Sequence, residues 1–299
     1  MVFYNNDLNK FFLQWLIGFI DAEGNFQITT IINKSKNKNN INIGEKQKMV
    51  KKGNPFPSFF PLHIKYSFHL SLSLKDKDLL YEIKNFFNMG QIYLYKHRKE
   101  AHYALTKLED LKTIVSLFDN YGFFTKHQSD RYYLFRWVLL NKKRQFENIE
   151  HLNSYLQRPV NCIQYTTKDL NFSYIDKVYN TYELNIIYSN WICGFITGEG
   201  CFSQNKKRKV FYFHLEQAER EVLDFMKAYF SFNPKIRENK LRPKRKQTYS
   251  LAISSKADLL KLISFLNNND INFIGLKGNK KKQYDIWLTD FNLKHGIIA

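Results

Sequence analysis

Two glutamates stand at equivalent positions of a short sequence that occurs twice in the chain. Glu23 lies in Trp15–Phe26 and Glu199 lies in Trp191–Phe202, and seven of the twelve positions of the two segments are identical. The apolar residues before each glutamate predict a helix that ends at the glutamate. A carboxylate at the carboxyl end of a helix is unfavourable because the helix dipole is already negative there, and two such carboxylates near a symmetry axis repel each other.

A divalent cation would relieve both of these unfavourable interactions. Hard oxygen ligands close to a phosphate are typical of a magnesium site, where the metal activates water and stabilises the attacking and departing oxygens of a displacement. The alternative is that Glu23 and Glu199 are solvent-exposed side chains at frayed helix ends. Because a glycine follows the glutamate in both copies, we favour the metal site.

Small residues within the repeated helix predict how the two copies meet. Gly18 and Ala22 are four residues apart, as are Gly194 and Gly198, so each pair shares one face of its helix. Small side chains at this spacing let two helix backbones approach closely. A glycine inside a helix costs about 1 kcal/mol relative to alanine, and close helix contact would offset that cost. We therefore expect the two helices to pack against each other about a pseudo-two-fold axis.

The chain around the two motifs indicates a tandem duplication with an α+β fold. Each copy has a mixed αββαββα pattern, with alternating apolar and polar residues in the strands, as in Tyr66–Leu74. We expect Gly24 to end the first helix in a left-handed conformation. The predicted units are 1–145 and 188–299, joined by a linker over 146–187. Each antiparallel sheet would carry helices on one face and leave a polar face open.

The composition favours a folded protein with a polyanionic partner. The chain of 299 residues has 46 Lys and Arg against 27 Asp and Glu, a formal charge of +19, while 44% of its residues are hydrophobic, which excludes a disordered basic tail. Three cysteines without paired spacing indicate neither a disulfide framework nor a structural zinc site. No segment is long and apolar enough to predict a membrane span. The abundance of Phe, Tyr, Asn, Lys and Ile is typical of AT-rich coding sequence and favours an organellar origin.

Basic and polar residues are placed to follow a nucleic-acid duplex. Lys- and Arg-rich connectors flank the open face in both copies, and outward-facing strand residues lie between them. A strand of about 8 residues, at about 3.3 Å per residue, matches roughly eight base pairs, so two sheets would cover more than one turn of DNA. The predicted DNA contacts are Gln27, Thr29, Lys34, Lys36, Ser71, Ser73, Ser203, Gln204, Lys207, Arg208, Arg237 and Arg245.

The two copies resemble the LAGLIDADG motif of homing endonucleases, in the single-chain, two-motif form that fungal mitochondrial introns encode. The likeness covers nearly the whole chain. It implies two pseudo-symmetric domains whose saddle-shaped sheets lie in the major groove, motif helices at the interdomain interface, and cleavage across the minor groove with short 3′ overhangs. It also implies that Glu23 and Glu199 bind catalytic Mg²⁺ or Mn²⁺, with the backbone of Ala22 and Gly198 as further ligands. The second copy has Thr197 where the first has an aspartate, which concerns packing rather than the metal ligands.

The resemblance assigns three further groups to the site. Gln217 matches a glutamine that organises water around the metals, and Leu74 stands at the corresponding place in the first copy. Lys280 matches a lysine close to the scissile phosphates, at the start of the last helix. In the first copy either Lys126 or His127 takes the lysine position, and the spacing leaves both open.

These features predict a monomeric, metal-dependent endonuclease of the mitochondrion that cuts both strands of a long, asymmetric DNA site. The first alternative is an intron RNA maturase on the same fold, which binds its own intron RNA and tolerates substitution of Glu23. The second is a DNA-binding regulator, which the recurrence of the glutamate in both copies disfavours. No P-loop, GxSxG or HExxH motif supports another chemistry. We expect no membrane partner.

Overall fold

The first half of the chain forms an antiparallel sheet with helices against one face. The computed structural model describes residues 7–32, 62–162, 181–241, 243 and 246–297. In chain order the elements of the first half are α1 (Asp7–Glu23), β1 (Gly24–Ile32), β2 (Leu62–Ser73), α2 (Lys77–Phe87), β3 (Gln91–Tyr95), β4 (Glu100–Leu105), α3 (Leu108–Asp119), α4 (Lys126–Asn141) and β5 (Gln145–Phe146). The strand order is β1-β2-β4-β3, and β5 pairs with β2.

The second half repeats this architecture. After α5 (Ile149–Cys162) the elements are α6 (Thr181–Glu199), β6 (Cys201–Asn205), β7 (Val210–Gln217), α7 (Arg220–Phe230), β8 (Arg237–Glu238), β9 (Tyr249–Ile253), α8 (Lys256–Leu266) and α9 (Gly278–His295). The sheet order β6-β7-β9-β8 corresponds strand by strand to β1-β2-β4-β3. The predicted α+β fold with a duplicated pattern is confirmed. None of the helices in the described ranges is long and apolar enough to cross a membrane.

Strand alternation places the core between each sheet and its helices. In β2, Phe68 and Leu70 are fully buried, whereas Ser71 and Ser73 are exposed. Phe26 of the neighbouring strand packs against Phe68 with 5.0 Å between ring centroids. Burying a phenylalanine side chain stabilises the fold by about 1.5–3 kcal/mol. Because successive side chains of a strand point to opposite faces, the polar residues are left on the open face of the sheet.

The segment between the halves begins with structure that packs on the first half. Tyr155 of α5 contacts Trp137 of α4 with 4.7 Å between ring centroids, and it contacts Phe146 of β5 at 5.1 Å. Leu152 on the same helix is also buried. These residues of α5 and β5 fall within the predicted linker 146–187, so the start of that segment contributes to the core of the first half.

The prediction that Gly24 ends α1 in a left-handed conformation is wrong. Helix α1 passes directly into β1 at this residue. A Cβ atom at Gly24 would lie 2.6 Å from the Ile20 carbonyl oxygen and 2.7 Å from Nε2 of Gln128, so glycine is required there for space. In the described part of the chain the glycines with positive φ are Gly90, Gly122, Gly278 and Gly296.

Candidate active site at the paired helices

Helices α1 and α6 pack with their backbones in direct contact. A Cβ atom added to Gly18 would overlap the backbone carbonyl group of Trp191, and one added to Gly194 would overlap the carbonyl group of Trp15. The two contacts are equivalent because the two glycines, like the two tryptophans, hold matching positions in the duplicated motifs. The predicted helix pair and its pseudo-two-fold relation are confirmed.

This packing brings the carboxyl ends of the two helices side by side. A Cβ atom at Gly198 would lie 2.5 Å from Ala22 Cβ and 3.1 Å from Glu23 Cγ. The two helices end at Glu23 and Glu199. The last four carbonyl groups of a helix have no hydrogen-bond partner within the helix. The carbonyl groups of Ala22 and Gly198 are among them. The two motif carboxylates therefore lie close enough for the charge of Glu199 to act on Glu23.

Both motif glutamates are held where ionisation is costly. Burial, followed by the charge of Glu199, raises the pKa of Glu23 to about 6, while Lys280 opposes this rise. Burial also raises the pKa of Glu199, against the effect of a hydrogen bond from Gln217. A cation at this point would offset the repulsion between the carboxylates. The structure brings these four predicted site residues together.

Lys280 lies in the first turn of α9, beside the end of the second motif. Its Nζ atom donates a hydrogen bond to the carbonyl oxygen of Gly200, the residue that follows the motif glutamate. Burial lowers the pKa of Lys280, whereas neighbouring acidic groups, among them Glu23 and Glu199, act in the opposite direction. Lys280 thus contributes a positive charge next to both carboxylates.

The first half places Gln128, and neither Lys126 nor His127, at the position equivalent to Lys280. Gln128 is the third residue of α4 as Lys280 is the third residue of α9. Its Nε2 atom donates to the carbonyl oxygen of Gly24 at 3.1 Å, and this glycine follows the first motif glutamate. The sequence reasoning missed Gln128. The sequence signal that identifies it is a tyrosine four residues later: Tyr132 follows Gln128 at this spacing, as Tyr284 follows Lys280, and both tyrosines are buried.

Lys126 and His127 form the first turn of α4 and are held by other groups. Lys126 Nζ pairs with Asp130 at 2.5 Å. The backbone N–H groups of Lys126 and His127 donate to the Glu219 carboxylate at 2.8 and 2.5 Å. The groups that shift the pKa values of the two motif glutamates include neither of these side chains.

Asp21 ties the first motif to both halves of the molecule. Its Oδ2 atom accepts hydrogen bonds from Trp191 Nε1 at 2.8 Å and from the Phe124 N–H at 3.0 Å, and Oδ1 accepts from the N–H and Oγ1 of Thr125 at 3.2 and 2.8 Å. Burial raises the pKa of Asp21 to about 6 against the effect of these hydrogen bonds. Thr197, at the same position of the second motif, donates to a carbonyl oxygen of its own helix at 2.7 Å.

Two clefts flank the helix pair. One has a volume of about 210 Å³, and its lining includes Glu23, Ser71, Ser73, Asp76 and Lys280. The other has a volume of about 970 Å³, and its lining includes Lys126, His127, Gln217, Glu219 and Lys246. Predicted site residues therefore line both clefts, one carrying Lys280 and the other carrying Gln217.

Strand pairing places six of the twelve residues predicted to contact DNA on the open sheet faces. Residues on the open face of the first sheet include Gln27, Thr29, Ser71 and Ser73, and those of the second include Ser203 and Arg237. Lys207 and Arg208 are exposed between β6 and β7. Gln204 lies on the opposite face from Ser203, because successive strand side chains alternate, so it does not join this surface. Lys34, Lys36 and Arg245 lie outside the described residues.

The chemistry of the donors fits a hard divalent cation. Over the ranges that the structure describes, no group of three or more His, Cys, Asp or Glu side chains is arranged to hold a metal. Glu23 and Glu199 supply carboxylate oxygens, and the helix ends supply backbone carbonyl oxygens. Oxygen donors of this kind suit Mg²⁺, Mn²⁺ or Ca²⁺.

Comparison with known proteins gives one family for both halves. The model of the LAGLIDADG endonuclease family matches residues 16–139, and the model of the LAGLIDADG-like domain matches residues 187–266. The probable intron-encoded endonuclease Cox1-I1b of Schizosaccharomyces pombe is 29% identical over 304 residues, which cover 95% of this chain and 65% of that relative. The chain thus spans slightly less than two thirds of the length of that protein.

Solved structures share the fold along nearly the whole chain. The LAGLIDADG homing endonuclease I-GzeII, solved in complex with its DNA target, has a TM-score of 0.62 at 24% identity, covering 95% of this chain and 91% of that one. I-SmaMI, bound to uncleaved DNA in the presence of calcium ions, has a TM-score of 0.61 at 20% identity, covering 95% and 92%. The two family matches together span more than half of the chain, and each contains one copy of the duplicated motif. The chain therefore belongs to the LAGLIDADG family.

Proposed function

We propose that this protein is a site-specific, divalent-metal-dependent endonuclease that cuts both strands of duplex DNA at a long asymmetric site and leaves short 3′ overhangs. The observation that carries this proposal is the pair of crowded carboxylates, Glu23 and Glu199, beside Lys280 and between two sheets with polar open faces. I-GzeII and I-SmaMI, which share the fold, were solved with DNA, and the relative from S. pombe is named a probable endonuclease.

The chain's own residues have distinct roles in this reaction. Glu23 and Glu199, with the carbonyl groups of Ala22 and Gly198, would hold Mg²⁺ or Mn²⁺. A divalent cation supplies an activated water and neutralises phosphate charge when bound there. Lys280 stabilises negative charge that develops on the phosphate, because its ammonium group is already fixed beside the site. Gln217 orients the carboxylate of its motif glutamate through their hydrogen bond.

The sheet faces would bind the DNA on either side of this centre. Six polar residues are proposed to contact bases or backbone: Gln27, Thr29, Ser71, Ser73, Ser203 and Arg237. Lys207 and Arg208 would pair with phosphates, as would Lys34, Lys36 and Arg245 outside the described residues. Phosphate contacts make the affinity fall steeply with salt.

We further propose that one chain supplies both DNA-binding units, 1–145 and 188–299, and acts as a monomer. The duplicated sheets support this division, since each unit has its own antiparallel sheet. The relative's name places its gene in an intron, and the residue bias of this chain is that of AT-rich coding sequence. The residue bias, together with a Saccharomyces cerevisiae relative that is named a mitochondrial protein, supports an origin in the mitochondrion.

Cleavage of the joined exons that flank the intron tests the proposal directly. A duplex spanning the intron insertion site, with a different dye on each strand, is incubated with the full chain and Mg²⁺. Glu23→Gln and Glu199→Gln remove a charge from the site while keeping side-chain size, and each should slow cleavage by at least about 100-fold.

An exposed glutamate gives the matched control for these variants. Glu109 pairs with Lys112 at 2.8 Å on the surface of α3, so Glu109→Gln should cut at the parent rate. Equal cleavage by the parent and both motif variants would contradict the proposal. A parent chain that binds its intron RNA but cuts no exon DNA would favour the maturase function instead.

A further inference from the structure

Two carboxylates, one from each half, bind the start of a helix in the other half. Asp76 accepts a hydrogen bond at 2.6 Å from the backbone N–H of Asn279, the second residue of α9 and 203 residues away in the chain. Glu219 accepts hydrogen bonds at 2.8 and 2.5 Å from the N–H groups of Lys126 and His127, the first two residues of α4. The first N–H groups of a helix have no partner within it, and a carboxylate there also interacts favourably with the helix dipole.

The two contacts are equivalent in the duplicated fold. Asp76 immediately precedes α2 and Glu219 immediately precedes α7, the helices that follow the second strand of each sheet. Neither side chain caps the helix that it precedes. Each carboxylate is therefore directed across the interface between the halves rather than along its own chain segment.

The backbone at the start of α9 is shaped for this contact. Gly278 has a φ of +60°, and a Cβ atom there would lie 2.5 Å from Oδ1 of Asp76. A larger residue would therefore separate the helix from the carboxylate. The next residues along the helix are Asn279, which donates to Asp76, and Lys280, whose ammonium group reaches the end of the second motif. Asp76 also faces Glu23, since its charge contributes to the raised pKa of that glutamate.

We propose that Asp76 is a positioning residue for Lys280, and that Glu219 is the corresponding positioning residue for Gln128. In this arrangement the first half holds the helix that carries the lysine, and the second half holds the helix that carries the glutamine. The lysine is aligned with the motif glutamates only when the two halves are docked. This inference rests on the proposed function for its effect on cleavage, but the contacts themselves can be tested without DNA.

A double-mutant cycle tests whether Asp76 acts through Lys280. Asp76→Ala should lower kcat about ten-fold with little change in DNA affinity, as expected for loss of a group that orients a site residue. In a Lys280→Met background the same change should cost less than about two-fold, because the residue that it positions is already gone. Asp76→Asn keeps an oxygen that accepts from the Asn279 N–H, and it should recover part of the lost rate.

Glu82→Ala is the matched control for this cycle. Glu82 lies on α2 and pairs with Lys277 at 2.6 Å, so it also joins the halves next to α9 but does not accept from a helix N–H. We expect cleavage within about two-fold of the parent. If the effects of Asp76→Ala and Lys280→Met on the rate add in full, Asp76 does not act through the lysine and the proposal fails.

Amide hydrogen exchange gives a readout that does not depend on cleavage. In Asp76→Ala the amide of Asn279 should exchange faster, and in Glu219→Ala the amides of Lys126 and His127 should do so. Unchanged exchange in variants that stay folded would overturn the proposal. If the parent chain cuts no DNA, the proposed function fails, while the exchange rates still decide whether these carboxylates hold the helices. If Asp76→Ala does not fold, Asp76→Leu, which also lacks an acceptor oxygen, takes its place in this measurement.

Discussion

The two halves of the candidate site share a backbone but differ in the side chains that face the motif glutamates. Next to the second motif, Lys280 bonds to Gly200, and Gln217 bonds to Glu199. Next to the first motif, Gln128 bonds to the equivalent glycine. The prediction that Leu74 corresponds to Gln217 is wrong, because the pairing of Phe26 with Phe68 and of Phe202 with Phe213 makes Leu72 the equivalent residue. Duplication thus preserved the helix pair and the sheets, while the polar groups around the carboxylates diverged. The side chains that we assign to phosphate and water are concentrated in the second half.

The hydrogen bonds that hold the motif helices show the reverse difference: the first motif has more of them than the second. Asp21 of the first motif accepts four hydrogen bonds, one of them from Trp191 of the second. Thr197 takes the same position in the second motif, and Nε1 of Trp15, the tryptophan equivalent to Trp191, has no hydrogen-bond partner in the part of the chain that the structure describes. The first motif therefore has the more extensive hydrogen bonding at this position, whereas the second motif has more polar side chains next to its glutamate.

The largest contrast should appear in stability, between Asp21→Ala and Thr197→Ala. Loss of Asp21 leaves the indole N–H of Trp191 and two backbone N–H groups without their acceptor, and we expect the free energy of unfolding to fall by about 3 kcal/mol. Loss of Thr197 removes one hydrogen bond to a carbonyl group of its own helix, which should cost less than about 1 kcal/mol. Urea unfolding of the two variants measures both values. Equal losses would show that the two motifs are anchored alike.

The features that the sequence predicts correctly are those that depend on local pattern or on repetition. Strand alternation predicts the open faces. The four-residue spacing of Gly18 and Ala22, and of Gly194 and Gly198, predicts the helix pair, and the backbones approach so closely at Gly18 and Gly194 that a Cβ atom would overlap the partner helix. The prediction of a left-handed conformation at Gly24 is wrong because glycine also occurs where a Cβ atom would be too close to neighbouring atoms, as it would be here. Gln204 was assigned to the DNA surface beside Ser203, although alternation along one strand already separates them.

Contacts between the halves outside the motif helices do not follow from local sequence patterns. Asp76 and Asn279 are 203 residues apart, and nothing in the local pattern of either segment indicates their contact. The resemblance leaves Lys126 and His127 open as the first-half equivalent of Lys280. The fold shows instead that position on the helix, counted from the buried Tyr132 or Tyr284, defines the equivalence and that Gln128 fills it.

The next contrast concerns rate, between Lys280→Gln and Gln128→Ala. Lys280→Gln gives the second half the side chain of the first and removes the positive charge beside the carboxylates, so we expect one strand to be cut about 100-fold more slowly. Gln128→Ala removes a neutral amide and should change the cleavage rate of either strand by less than about ten-fold. A duplex with a different dye on each strand reports the two rates separately. Lys281→Gln is the control, because Lys281 lies in the same turn and pairs with Asp285. Similar losses from both variants would mean that the two half-sites contribute equally despite their different side chains.

The smallest effect should come from Gln217→Leu, which gives the second half the residue that Leu72 supplies in the first. The amide bonds to Glu199 rather than to a phosphate, so its removal should weaken the orientation of that carboxylate and leave its charge in place. Groups that orient a metal ligand typically contribute about ten-fold in metal affinity or activity. We therefore expect the Mg²⁺ concentration for half-maximal cleavage to rise about ten-fold, with a smaller change in the rate at saturating Mg²⁺. The reciprocal change, Leu72→Gln, should not raise this concentration, since a new amide near the first motif removes no existing hydrogen bond. A shift of equal size in both variants would show that the glutamine acts through packing, and the distinction between the two half-sites would then rest on Lys280 alone.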